Sequence, residues 1–63
     1  MRLTFARCRE FAKNNNIRVQ REGKQFVVFD ELNHGTQEVC YNVKEVAQAI
    51  NGFIWEQKNT LFT

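Results

Sequence analysis

Gln25-Phe26-Val27-Val28-Phe29-Asp30 is the stretch whose reading decides the fold. Four consecutive β-branched or aromatic residues stand between polar ends, uninterrupted by Pro, and form the strongest strand signal in the chain. A run that is apolar at every position, rather than every second one, predicts a strand packed on both faces. One face is expected to meet the chain's own helices. What covers the other is the functional question.

Upstream, Ile17-Arg18-Val19-Gln20-Arg21 alternates apolar and polar residues, the pattern of a half-buried strand. Glu22-Gly23 reads as a two-residue hairpin loop, with Gly supplying a positive φ. That loop pairs Arg21 with Lys24, Val19 with Phe26 and Ile17 with Val28, so all four apolar residues share one face. Downstream, Asn33-His34-Gly35-Thr36 reads as a second turn with an even loop count. Cys40 then falls opposite Phe29 and Asn42 opposite Val27, while Val39, Tyr41 and Val43 join the core face. A three-residue loop would invert this strand.

Helices flank the strands. Leu3 to Asn15 has Thr4 as a capping residue, with Leu3 and Cys8 placed for a hydrophobic staple. Met1, Phe5, Cys8 and Ala12 share one stripe, with Phe11 on its shoulder; Arg2, Arg9 and Lys13 line an outward stripe. Lys13 and then Asn14-Asn15-Asn16 suit the negative end of the helix and its cap. At the other end of the chain, Asn42 and Glu45 have the spacing of a capping box. Val43, Val46, Ala47, Ile50, Phe53 and Ile54 follow at helical spacing, and Leu61 falls in phase with them. Asn51-Gly52 could end this helix and release Phe53-Ile54-Trp55 as a fourth strand. The apolar face runs on in phase, which favours a continuous helix to about Gln57, with residues 58–63 as a loose tail. The expected architecture is a two-layer α-β-β-β-α domain of the α+β class, with both helices on one face of a three-stranded antiparallel meander.

Sixty-three residues make at most one domain, and a core of this size is marginal without a staple or a partner subunit. Apolar residues make up 43% and charged residues 25%, the balance of a globular chain. The N-terminus lacks the apolar run of a secretory signal, and no stretch reaches the roughly 18 apolar residues of a membrane span. These features predict a cytoplasmic protein with reduced thiols and no membrane partner. Charge is unevenly spread: residues 1–24 carry seven basic and two acidic side chains, residues 25–63 two basic and five acidic. That asymmetry admits an anionic partner.

The composition argues against catalysis. There is no Ser and one His, and His34 lies beside Gly35 in the expected turn. Asp30 and Glu31 are adjacent on a strand, so their side chains diverge and make a poor acid–base pair. One His and two separated Cys fall short of a structural zinc set, and Gly23, Gly35 and Gly52 match no phosphate-binding loop. The expectation is no catalytic residue, metal, cofactor or small-molecule substrate. Gly23 to Phe29 resembles the end of the RNA-recognition-motif signature, but Lys24 stands where that motif needs an aromatic, and Phe26 would have to leave the core.

Two surfaces remain. On the outer sheet face, Val27, Phe29 and Cys40 form an apolar centre rimmed by Arg18, Gln20 and Asn42, the anatomy of a protein interface. Trp55 lies off the apolar stripe of its helix, close to Lys44 and Phe62, and an exposed Trp is a frequent binding hot spot. The reading is a small protein-binding or regulatory module, pairing with another protein or with itself as a homodimer. The rival is a nucleic-acid binder using Arg2, Arg7, Arg9, Lys13, Arg18 and Arg21 on phosphates.

Overall fold

A computed structural model describes residues 3–32 and 36–59. The elements follow the order α1 (Phe5–Lys13), β1 (Ile17–Glu22), β2 (Gln25–Asp30), β3 (Gln37–Cys40) and α2 (Val43–Asn59). The strands form one antiparallel sheet in the order β1-β2-β3. This is the expected α-β-β-β-α arrangement. The positions expected of Met1, Arg2, His34, Gly35, Leu61 and Phe62 lie outside the described residues.

Helix α1 begins where Thr4 Oγ1 accepts the Arg7 backbone N–H at 3.2 Å. It is shorter than the sequence pattern, because three Asn residues close it. Asn15 Nδ2 donates to the Phe11 carbonyl at 2.8 Å, and Asn16 takes a left-handed φ of 60°. Asn tolerates that conformation better than most residues with a side chain, and it turns the chain into β1.

The β1–β2 hairpin keeps the expected faces and changes the expected register. Glu22 pairs with Gln25, Arg21 with Phe26, Val19 with Val28 and Ile17 with Asp30. The loop is Gly23-Lys24, not Glu22-Gly23. Gly23 has a φ of 63° and Lys24 does not share the positive φ, the pattern of a type II′ turn, which wants Gly at its first central position. The slip changes each pairing by two residues, so Ile17, Val19, Phe26 and Val28 stay together.

The β2–β3 register is a correction with larger consequences. Phe26 pairs with Cys40, Val27 with Val39, Val28 with Glu38 and Phe29 with Gln37. The loop count is odd. Asp30 Oδ1 accepts the Leu32 N–H at 3.0 Å, an Asx turn that starts the bend directly after β2. Asp30 itself still donates its N–H to the Thr36 carbonyl at 3.1 Å. A strand displaced by an odd number presents its opposite face. Cys40 therefore points into the core, Val39 points away from it, and Tyr41 is exposed rather than buried.

Helix α2 is continuous through Gly52, so there is no strand at 53–55, and it runs two residues past the expected end. Its start is a reciprocal cap: Asn42 Oδ1 accepts the Glu45 N–H at 2.8 Å, and Glu45 Oε1 accepts the Tyr41 N–H at 2.9 Å. The core lies between the helices and one sheet face. Cys8 and Ala12 of α1, Ile17, Val19, Val28 and Cys40 of the sheet, and Val46, Ala49, Ile50 and Phe53 of α2 are all buried there. Phe5 closes one end against Phe26, with ring centroids 5.1 Å apart.

Candidate protein interface

Alternation along the strands sends Arg18, Gln20, Val27, Phe29, Gln37 and Val39 to the face away from the core cluster. Val27 is 6% exposed there because it sits on the central strand, walled by Gln20 and Val39 across the ladder and by Gln25 and Phe29 along it. Phe29 is half-buried. The Arg18 guanidinium lies over its ring, 4.8 Å from the centroid, and its Nε is 4.0 Å from Glu31 Oε1. Arg18 thus covers the aromatic with its stem and plane while its charge stays in water. Val39 is 42% exposed.

Of the residues expected on this face, Arg18, Val27 and Phe29 come together. Cys40 does not: it is 2% exposed inside the core, and Val39 takes the place assigned to it. Asn42 is not on this face either, since it caps α2. Parity alone hid Val39. Both cysteines are free and buried. Burial pushes the Cys8 thiol up. Burial also raises the Cys40 thiol, and the Glu38 and Glu45 carboxylates raise it further.

Trp55 is 66% exposed on the side of α2 that also carries exposed Lys44, Gln48 and Asn51. It sits on α2, whereas Phe29 is on the sheet face away from the helices, so the two belong to different surfaces. Leu3 and Phe11, 51% and 50% exposed, flank a shallow groove between the helices whose floor includes Ala47 and Ile50.

The basic residues do not form one surface. Arg7 lines the helix–helix groove. Arg9, Lys13 and Arg18 line a second groove beside β1, shared with Glu10 and Glu31. Arg21 lies on the core side of the sheet, over the Phe26 ring at 5.9 Å. Among the described residues, no group of three His, Cys, Asp or Glu side chains could hold a metal ion, and no helix is long and apolar enough to cross a membrane. No protein-family model, curated protein or solved structure matches the chain.

Proposed function

We propose that this chain is a small, non-enzymatic protein-binding module that pairs with a second copy of itself through the helix-free face of its sheet. The observation that supports this reading is the row Phe29, Val27 and Val39 on a face outside the helix-side core, bordered by Arg18, Gln20 and Gln37. An apolar centre with a polar border is the composition of an interface core and rim. A core this small also gains stability from association. A standard interface buries about 800 Å² on each partner, so the polar border must take part alongside the three apolar side chains. The test is sedimentation of the wild type against Val39→Asp. Val39 is exposed, so the variant keeps its fold. Association in the wild type and its loss in the variant support the reading; a wild type that stays monomeric at high concentration refutes it.

A second reading has one observation in its favour: Arg9, Lys13 and Arg18 share a groove and could contact phosphates of a nucleic acid. Glu10 and Glu31 in the same groove oppose it. Retention on heparin at low salt that is lost in Arg9→Glu/Lys13→Glu would support it.

A further inference from the structure

Both outer strands of the sheet have one open edge. β1 and β3 each pair only with β2, and among the described residues no backbone hydrogen bond covers either outer side. An open edge is a template for another strand. Charged side chains on an edge ordinarily keep strands apart, because identical edges repel. Here the two edges differ in sign.

Beside β1, the groove between strand and α1 carries Arg9 and Lys13 from the helix and Arg18 from the strand. Beside β3, the groove between strand and α2 carries Glu45 and Glu56 from the helix and Glu38 from the strand. The uneven charge along the sequence has become a polarity across the helix side of the molecule. Gly52 adds to this. It lines the groove beside β3, and a Cβ there would meet nothing within 4 Å. Packing within the chain therefore does not require a glycine, and its missing side chain leaves space next to the open edge.

We infer that copies of this chain associate head to tail, the β1 edge of one docking against the β3 edge of the next. The occupant is a second copy because the helix side of one edge carries the basic half of the match and the helix side of the other edge carries the acidic half. Arg9 and Lys13 of one copy face Glu38, Glu45 and Glu56 of its neighbour. β1 and β3 are both antiparallel to β2. Keeping all helices on one side of the joined sheet makes the new strand pair parallel. The contact is heterologous, so it propagates as a ring or an open row rather than stopping at two. Glu10 and Glu31 offset part of the charge beside β1, so the association is weak and belongs to low salt. This inference uses the edges of the sheet and does not rest on the open face.

The experiment is sedimentation velocity on nuclease-treated protein. Between about 0.01 M and about 1 M salt the screening length falls from about 30 Å to about 3 Å. The wild type, whose monomer is 7.5 kDa, should sediment faster at low salt than at high salt, where only association through the helix-free face remains. Glu38→Lys/Glu56→Lys makes both edges basic; Arg9→Glu/Lys13→Glu makes both acidic. Each variant alone should lose this low-salt increase, and an equal mixture should regain it. All four side chains are exposed, so both variants should keep the wild-type circular dichroism; if one does not, the salt response of the wild type decides. A wild type whose sedimentation is the same at low and high salt, reversed variants that keep the low-salt increase, or a mixture that does not regain it overturns the inference. Val39→Asp separates the two proposals. Association that persists at high salt and is lost in Val39→Asp belongs to the face; the low-salt increase that is lost in the charge reversals belongs to the edges, and either can fail without the other.

Discussion

Gln57 Nε2 donates a 2.8 Å hydrogen bond to Asp30 Oδ1, tying the last turns of α2 to the end of the central strand across 27 residues of sequence. Asp30 is 3% exposed, and the same oxygen accepts the Leu32 N–H that opens the following bend. One carboxyl oxygen thus holds a helix end and a loop start together. Among the described residues, its other oxygen, Oδ2, is buried without a hydrogen-bond partner.

This predicts an asymmetry between two substitutions. Gln57→Leu removes a donor from a buried acceptor and should cost about 1–3 kcal/mol in urea unfolding. Asp30→Asn keeps an oxygen for both donors, so it should cost less than Asp30→Ala. Equal losses for Asn and Ala would mean that the hydrogen bonds at this position contribute nothing.

The start of α2 rests on two side chains acting on each other's backbone. Asn42→Ala leaves the Glu45 N–H without its acceptor and should cost about 1 kcal/mol. Glu45→Ala releases the Tyr41 N–H. The double variant should lose less than the sum of the two, since Asn42 Nδ2 also lies 3.4 Å from Glu45 Oε2. Strict additivity in a double-mutant cycle would contradict a reciprocal cap.

Gly52 sits in a helix interior with open space where a Cβ would be. Gly52→Ala should therefore stabilise the monomer by about 0.5–1 kcal/mol, through reduced backbone entropy in the unfolded chain. A loss of stability would show that the groove beside β3 is more crowded than its geometry allows.

The buried thiols set an alkaline limit. Both Cys8 and Cys40 have pKa values raised above the ordinary 9.0 in the folded state. The folded chain then holds these protons more tightly than the unfolded one. That contribution is fully present below pH 9.0 and is lost as pH rises through the folded-state values. Stability should fall more steeply above pH 9.0 in the wild type than in Cys8→Ala/Cys40→Ala. Equal slopes would contradict the burial assigned to them.

Most of the fold was legible in the sequence because each element carried its own local signal. Thr4 and Asn42 with Glu45 announced helix starts, and the apolar phase from Val43 to Ile54 outweighed one glycine. The hairpin faces were legible because Ile17, Val19, Phe26 and Val28 agree for any slip of two residues. The β3 face was not. It depends on whether a loop count is odd or even. Loop composition does not carry this information. The candidate face was consequently legible on β1 and β2 and wrong on β3, where Val39 and not Cys40 completes the row. The charge polarity was visible as a count along the chain, but only the topology brings Arg9 and Lys13 beside β1, and Glu45 and Glu56 beside β3.

The most direct test of the functional account is a dilution series of backbone amide correlation spectra on the wild type. Association through the helix-free face predicts concentration-dependent shifts that cluster on Arg18, Gln20, Val27, Phe29, Gln37 and Val39 and vanish in Val39→Asp. Spectra that do not change with concentration, or shifts that spare this face altogether, would contradict it.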